Sequence, residues 1–168
     1  MYQVYLGLGS NLGDRHENLY RALEEIALIG KITKISSIYE TEPVGMENCS
    51  DFLNMVVEIA TTSDPPLLMA QIKKIEKKLG RKSSSHGEPR TIDIDILLYR
   101  GFVYQDPTVQ VPHPELPNRK FVLQPLVEIA PTAVHPQLEK TMATLLRNCR
   151  DNHRITKAEI QLQGVRTI

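Results

Sequence analysis

Two acidic residues in an otherwise apolar segment are the best candidates for chemistry in this sequence. Asp93 and Asp95 alternate with Ile92, Ile94 and Ile96, and successive side chains of a β-strand point to opposite faces. We therefore expect the isoleucines to enter a core and both carboxylates to share the other face, about 6.6 Å apart along the strand. Carboxylates at this spacing can bind Mg²⁺, or two metal ions about 3.5–4 Å apart, with water and phosphate oxygens as further ligands.

The alternative for this pair is an ordinary solvated strand face, because acidic residues commonly alternate on exposed sheets. Two features favour a metal site instead. Adjacent ionised carboxylates repel each other and are stabilised by a cation, and Arg90 precedes them at the end of a basic segment, 81–90, that contains Ser and Gly. The composition of that segment is equally typical of a solvated connection.

The composition argues against several classes of protein. Lys plus Arg and Asp plus Glu both number 20 in 168 residues, so no net positive charge favours binding to nucleic acid or to an anionic membrane. We find neither a signal-peptide pattern at the start nor an apolar run approaching the roughly 20 residues of a membrane span. Cys49 and Cys149 lie far apart without zinc-type spacing, which predicts neither a disulfide nor a zinc site. We expect a single cytoplasmic domain that acts as a monomer.

Hydrophobic periodicity and capping residues predict the elements that would position the acidic strand. Asp14 and Asp64 are predicted N-caps, and Gly30 and Gly80 are predicted helix ends. Before the acidic strand the expected elements are strand 2–8, helix 14–30, strand 32–39, strand 52–61 and helix 64–80. This order is the split βαβ pattern of a ferredoxin-like α+β fold, an antiparallel sheet with helices on one face. The Asp pair would lie on the opposite face, which we expect to be open to loops and ligands.

The remaining segments predict smaller elements and a C-terminal helical extension. They are extended pieces at 102–104 and 109–111, a helix at 119–129 interrupted at Pro125 and a helix at 141–148. A tail at 151–168 is of uncertain order, and its end, 155–168, either adds an edge strand or stays loose. The connection 40–51 is too long for a hairpin turn, and its length fits a functional loop as well as a plain surface connection. The Gly-rich turn 7–13 lacks the spacing of a dinucleotide-binding fingerprint and the Gly-Lys-Ser/Thr of a P-loop.

Several motifs resemble the 6-hydroxymethyl-7,8-dihydropterin pyrophosphokinase family of folate biosynthesis. They occur in order along the chain, as 8–13 (Leu-Gly-Ser-Asn-Leu-Gly), 39–45, 52–54, 80–81, 89–96 (Pro-Arg-Thr-Ile-Asp-Ile-Asp-Ile), 111–113 and 118–119. Motifs in the correct order are more specific than any one of them alone. The resemblance extends to about residue 150 and implies transfer of diphosphate from ATP to the hydroxymethyl oxygen of a reduced pterin, with release of AMP.

The resemblance also implies roles for individual residues. Asp93 and Asp95 would hold two Mg²⁺ ions across the triphosphate, and Arg81 and Arg90 would be catalytic. Besides these arginines, the residues around ATP would be Glu76, Ile96, His113 and Arg119. The pterin pocket would consist of Thr41, Pro43, Val44, Gly45, Phe52, Asn54 and Phe121, with the Phe rings stacked on the heterocycle.

The chemistry of phosphoryl-type transfer agrees with these roles. Negative charge on the phosphate oxygens is stabilised by metal ions and guanidinium groups, and positioning supplies much of the rest. Arginine suits phosphate because its donors form a bidentate fork, and one arginine can contribute 10³–10⁵ in rate, roughly 4–7 kcal/mol. The sequence offers no obvious general base, and metal polarisation of the hydroxymethyl group near the two aspartates would serve instead.

The chain departs from the family in the loop before Pro89. Members of the family commonly carry a second arginine and a tryptophan there, whereas this chain has Ser83, the segment 86–88 (His-Gly-Glu), and no Trp at all. Lys82 or His86 would have to make the missing loop contacts, if any residue does. The prediction of a metal site does not depend on these residues.

Several of the implied residues also have an ordinary structural interpretation. His113 lies between two prolines and can simply complete a turn, Phe52 and Phe121 can belong to the core, and Glu76 can lie on a helix surface. Asn54 follows Phe52 by two residues and shares its face of the strand, where a polar amide needs a partner such as the edge of a heterocycle.

Two alternative functions fit parts of the sequence. A non-enzymatic RNA-binding module can use the open face of an α+β sheet, but it would need a basic, aromatic face, and aromatic residues make up only 5% of this chain. A Mg²⁺-dependent phosphoryl or nucleotidyl transferase acting on another alcohol would use the same Asp pair. The acceptor that supports turnover distinguishes this second alternative from the pterin pyrophosphokinase.

Overall fold

The structure is a computed structural model that describes residues 1–46, 48–81 and 88–159. The elements of these ranges are β1 Tyr2–Ser10, α1 Arg15–Ile26, β2 Lys31–Ile35, β3 Tyr39–Thr41, β4 Phe52–Thr61, α2 Pro65–Lys78, β5 Asp93–Tyr99, β6 Tyr104–Gln105, β7 Gln110–Val111, α3 Lys120–Ile129, β8 Val134–His135, β9 Lys140–Thr141, α4 Met142–Asn148 and β10 Ile155–Lys157. None of the helices in these ranges could span a lipid bilayer.

The sheet has the antiparallel, ferredoxin-like arrangement that the order of elements predicted. Its strand order is β10-β3-β4-β1-β5, and β2 pairs with another part of β4. The register of β1 on β4 runs from Tyr2 opposite Thr61 to Ser10 opposite Leu53. β1 is therefore central, and the acidic strand β5 lies at one edge.

The prediction of one continuous strand at 32–39 is wrong. The segment divides into β2 and β3, both of which pair with β4. Between them, Ser36 Oγ accepts a hydrogen bond from Val56 N at 2.9 Å, and Ser37 N and Oγ donate to Glu128 on α3. Ser36 N still donates to Val56 O at 2.9 Å, but the side-chain hydrogen bonds of the two serines interrupt the regular ladder between β2 and β3.

The predicted N-caps are confirmed, whereas α1 ends at Ile26 rather than at the predicted Gly30. Asp14 accepts a hydrogen bond from Glu17 N, and Asp64 accepts one from Leu67 N, both at 3.0 Å. After α2, Gly80 has φ +96°, a left-handed conformation that favours glycine and ends the helix. Asp64 and Gly80 therefore mark the start and the end of α2, and the chain turns toward β5 at Gly80.

Helices α1 and α2 cover one face of the sheet and form the larger core. Ile92, Ile94 and Ile96 enter this core and are at most 2% exposed. The alternation predicted for the acidic segment is therefore confirmed, because Asp93 and Asp95 cannot share the isoleucine face.

The C-terminal helices cover part of the opposite face, which is less open than we expected. Leu123 and Leu126 of α3 and Leu145 of α4 pack against Val56 and Leu97 of the sheet in a second core. The RNA-binding module considered above would need this face of the sheet exposed.

The predicted interruption of the helix at Pro125 is wrong. α3 runs through this buried proline, and packing compensates for the backbone hydrogen bond that proline cannot donate.

The end of the described chain adds an edge strand. Ile155 lies opposite Thr41 and Lys157 opposite Tyr39 in the pairing of β10 with β3, so the edge-strand alternative is correct for 155–157. Residues 160–168 lie outside the described residues.

Candidate active site

The floor of the candidate site is the sheet face opposite α1 and α2, beside the start of α3. Asp93 pairs with Gly9 and Asp95 with Gly7 across β1 and β5, and directly paired residues share a face of the sheet. A Cβ atom on Gly9 would lie 2.7 Å from Asn54 Oδ1, so any side chain at this position would displace the amide of Asn54. The sequence predicted a turn at 7–13 for both glycines, which is wrong because they lie within β1, Tyr2–Ser10. It predicted no role for them in the site.

A pocket of about 620 Å³ opens above this floor. The predicted site residues that line it are Thr41, Val44, Gly45, Phe52, Asn54, Arg81, Arg90, Asp93, Asp95, His113, Arg119 and Phe121. They come from β3 to β5, from α3 and from the segments that join these elements. The fold thus brings together side chains that are up to 80 positions apart, from Thr41 to Phe121.

Three predicted site residues do not line this pocket. Ile96 is 1% exposed, and its side chain belongs to the core beneath the sheet, so only its backbone can contact a ligand. Glu76 is 2% exposed and lies behind Arg81 rather than on a helix surface. Pro43 is absent from the lining, whereas its neighbours Glu42 and Val44 belong to it.

Two guanidinium groups donate to the carboxylate of Asp93. Arg81 Nη1 lies 2.9 Å from Asp93 Oδ1, and Arg90 Nη1 lies 2.7 Å from Asp93 Oδ2. Glu76 Oε1 accepts from Arg81 Nη1 at 2.6 Å and from Ile94 N at 2.9 Å. Glu76 therefore ties Arg81 to the backbone of the strand that carries Asp93.

The carboxyl group of Asp95 lies in a different electrostatic environment. Burial, followed by the negative charges of Asp93 and Glu76, raises its pKa from 3.8 to about 7, while Arg119 and Lys73 act in the opposite direction. Asp95 therefore favours the binding of a cation, which would stabilise its ionised form.

Sequence reasoning missed two polar residues that support or line the pocket. Asn11, which is 3% exposed, accepts from Arg90 N at 2.7 Å and donates its own backbone N–H to Arg90 O at 3.1 Å. Lys73 lines the pocket and lies 3.3 Å from Glu76. A lysine one helical turn before an acidic residue is only a weak indication of a functional site. Asn11 could not be found from a local pattern, because its contact with Arg90 joins distant parts of the chain.

His113 completes a turn and also lines the pocket. Its backbone N–H donates to Leu97 O at 2.8 Å, and its Nδ1 accepts from Glu115 N at 3.1 Å. Burial and the charge of Arg119 lower the pKa of His113, which favours the neutral ring with its proton on Nε2. Arg119 also lies over the ring of Phe121, with its Cζ 5.7 Å from the ring centroid.

The other half of the pocket combines aromatic rings with a positioned amide. Asn54 Nδ2 donates to Thr41 Oγ1 at 2.7 Å, which leaves Asn54 Oδ1 directed toward Gly9. Phe52 and Phe121 are partly exposed and line the pocket from β4 and α3. Rings and an amide oxygen of this kind suit a flat heterocycle that carries N–H donors.

The described residues contain no group of three or more His, Cys, Asp or Glu side chains that could hold a metal ion on their own. Asp93 and Asp95 supply only oxygen donors, which suits Mg²⁺ with phosphate and water as further ligands rather than zinc. The loop residues Lys82, Ser83, His86 and Gly87 lie outside the described residues.

Comparison with known proteins identifies the family. Residues 5–131 match the model of the 7,8-dihydro-6-hydroxymethylpterin-pyrophosphokinase (HPPK) family. The 2-amino-4-hydroxy-6-hydroxymethyldihydropteridine pyrophosphokinase of Aquifex aeolicus is 45% identical over 142 residues, 84% of this chain and 89% of that protein. The protein of the same name from Bacillus subtilis is 41% identical over 168 residues, 97% of this chain and 88% of that protein.

A solved structure agrees with this result at the level of the fold. Wild-type HPPK-DHPS of Plasmodium falciparum with pteroate has a TM-score of 0.71 and 16% sequence identity, covering 88% of this chain. This chain corresponds to 44% of that larger chain. Because the family model spans most of the sequence and the bacterial relatives match over nearly their whole length, the chain belongs to the 7,8-dihydro-6-hydroxymethylpterin-pyrophosphokinase family.

Proposed function

We propose that the pocket above Asp93 and Asp95 is where this chain carries out the reaction of its family. That reaction is the transfer of diphosphate from ATP to the hydroxymethyl group of 6-hydroxymethyl-7,8-dihydropterin, a Mg²⁺-dependent step of folate biosynthesis. The observation that carries the assignment of the site is the convergence of two carboxylates, three arginines and two Phe rings on one pocket.

Arg81, Arg90 and Arg119 would bind the triphosphate. The donors that Arg81 and Arg90 now direct at Asp93 match phosphate oxygens equally well. A transfer of these donors from Asp93 to phosphate would leave the Asp93 oxygens available to a metal ion. His113, neutral and protonated on Nε2, would donate a hydrogen bond to the nucleotide without adding charge.

Asp93 and Asp95 would hold two Mg²⁺ ions, with phosphate oxygens and water as the remaining ligands. Bound there, the ions would neutralise charge on the phosphates and polarise the hydroxymethyl oxygen. The raised pKa of Asp95 supports this arrangement, because a carboxylate crowded by Asp93 and Glu76 is stabilised when a cation lies beside it.

The pterin would occupy the half of the pocket that Phe52, Asn54 and Phe121 form. Asn54 Oδ1 would accept a hydrogen bond from the edge of the heterocycle, and the Phe rings would contact its faces. Thr41 orients the amide of Asn54, and Gly9 leaves the room that the amide oxygen needs. Holding the acceptor alcohol next to the triphosphate supplies the proximity on which this reaction depends.

Two predicted ATP contacts receive more specific roles. Glu76 would act as a positioning residue for Arg81 and β5, because its carboxylate contacts Arg81 and Ile94 N. The backbone of Ile96 would provide the nucleotide contact, since it lies between Ile94, which binds Glu76, and Leu97, whose carbonyl accepts from His113 N.

We further propose that the chain works as a monomer. The pocket is lined by residues of a single chain from β1 to α3, so the proposed site needs no second copy. Light scattering at micromolar concentration should give the mass of one chain, 19.0 kDa, while a dimer would contradict this part of the proposal.

The decisive assay combines the protein with ATP, Mg²⁺ and the hydroxymethyl dihydropterin. We expect AMP to form only when the pterin is present, whereas ADP would indicate an ordinary kinase. Asp95→Asn should lose turnover, and Asp106→Asn, a charge-matched variant of a residue outside the pocket, should retain it. Wild-type turnover in Asp95→Asn would contradict the proposed site.

A further inference from the structure

The segment 151–157, which we call the C-terminal strap, contacts the pterin half of the pocket from outside. It lies beyond the part of the chain that the family model matches, 5–131. Its strand β10 pairs with β3, so that Ile155 lies opposite the pocket residue Thr41. Directly after the strap, Ala158 N donates to Ile38 O at 2.8 Å.

Arg154 of the strap holds both ends of the connection that follows β3. Glu42 begins this connection and Asp51 ends it. Arg154 N donates to Glu42 Oε1 at 2.7 Å, and Glu42 N donates to Arg154 O at 3.3 Å. The side chain of the same residue reaches across, with Arg154 Nη2 2.6 Å from Asp51 Oδ2.

The two anchored positions adjoin residues of the proposed pterin site. Glu42 follows Thr41, Asp51 precedes Phe52, and Thr41 and Phe52 are paired across β3 and β4. Arg15 adds a second support, since its Nη1 donates to Asp51 O at 2.8 Å. Because Glu42 and Asp51 are the chain neighbours of Thr41 and Phe52, a change in the distance between Glu42 and Asp51 would shift these two pocket residues.

The strap also caps the helix that carries Phe121. Asp151 Oδ2 accepts from Lys120 N, the first backbone N–H of α3, at 2.9 Å. The N-cap residue of α3, Arg119, makes no side-chain capping hydrogen bond of its own, so the strap supplies the missing acceptor. The strap therefore contacts three parts of the pocket, namely β3, the connection after β3, and the start of α3.

We propose that the C-terminal strap holds the pterin half of the pocket in its binding geometry and that Arg154 is a positioning residue for the pterin substrate. This inference rests on the proposed location of the pterin. Arg154 lies behind the pocket lining rather than in it. Loss of its side chain removes the contact with Asp51 and leaves the backbone hydrogen bonds to Glu42, so it alters the Asp51–Phe52 side of the pterin site and spares the nucleotide half, which is built on β5 and α2.

The test measures the KM values for pterin and for ATP, together with kcat, in four variants of the full-length chain. Arg154→Ala should raise the pterin KM about two- to fivefold, the range for one exposed ion pair, and leave the ATP KM and kcat within about twofold. Arg154→Glu should raise it further, since a negative charge would then face Glu42 and Asp51. Arg154→Lys should restore most of the pterin affinity.

The fourth variant, Arg147→Ala, is the matched control. Arg147 is an exposed arginine of α4 whose Nη2 donates to Thr144 at 3.2 Å, and its loss should change none of the three constants. An unchanged pterin KM in Arg154→Glu, or equal increases in both KM values, would overturn the proposal. A wild-type protein that forms no AMP would contradict the proposed function instead, which keeps the two failures distinct.

Discussion

Replacing Asp95 with asparagine should make the metal-free protein more stable while it abolishes activity. Burial and the charges of Asp93 and Glu76 raise the pKa of Asp95 from 3.8 to about 7, so ionising this group costs folding free energy at neutral pH. The difference corresponds to an upper bound of about 4 kcal/mol, at about 1.4 kcal/mol per pKa unit. Because solvent and neighbouring side chains relax around the charge, we expect Asp95→Asn to raise the free energy of unfolding by roughly 1–3 kcal/mol.

The pH dependence of this gain follows from linkage. The folded protein holds the Asp95 proton more tightly than the unfolded chain does, so ionisation destabilises the fold increasingly between about pH 4 and pH 7 and fully above pH 7. The gain in Asp95→Asn should therefore be largest near pH 8 and shrink as the pH falls toward 4. For a domain of 168 residues, a gain of 1–3 kcal/mol corresponds to a rise in Tm of roughly 2–12 °C.

The assay is thermal unfolding of both proteins in EDTA from pH 5 to pH 8, repeated with Mg²⁺ and a non-hydrolysable ATP analogue. The ligands should stabilise the wild type much more than Asp95→Asn. Asp106→Asn is a control of opposite sign, because hydrogen bonds from the Thr108 side chain, the Thr108 backbone and the Val109 backbone lower the pKa of Asp106 to about 2. A lower Tm for Asp95→Asn at pH 8, or a gain independent of pH, would refute the reasoning.

Three further substitutions test other parts of the site and fold. Gly9→Ala would place a Cβ atom 2.7 Å from Asn54 Oδ1, so the pterin KM should rise in steady-state kinetics more than the ATP KM; equal effects would contradict the role of Asn54. Glu76→Gln should lower kcat about tenfold or more, because Arg81 loses a charged partner at 2.6 Å; an unchanged kcat would show that Arg81 needs no such support. Leu126→Ala removes a fully buried side chain from the second core and should cost about 2–5 kcal/mol in denaturant unfolding, and a cost below about 1 kcal/mol would show that α3 packs loosely.

The sequence predicted well those elements whose signals are local. The strand from Phe52 to Thr61 has the predicted bounds, because its apolar run lies between turn-forming residues. Asp14 and Asp64 cap their helices as expected, since a cap needs only the next turn of the chain. The acidic alternation at Asp93 and Asp95 likewise depends on strand geometry alone.

The features that the sequence did not predict depend on distant contacts. The break after β2 follows from Ser36 replacing a ladder hydrogen bond of Val56 and from Glu128 holding the next serine. Burial of Glu76 behind Arg81 requires α2 to pack against β5. In the same way, the support of Arg90 by Asn11 joins residues 79 positions apart, and no local pattern marks such a pair.

The central claim concerns Asp93, Asp95 and the metal-bound triphosphate, and a crystal structure with Mg²⁺, a non-hydrolysable ATP analogue and the pterin tests it most directly. We expect magnesium ions about 2.0–2.1 Å from oxygens of both aspartates, with Arg81 and Arg90 on phosphate and the pterin between Phe52 and Phe121. Magnesium and phosphates bound away from these two carboxylates would contradict the account.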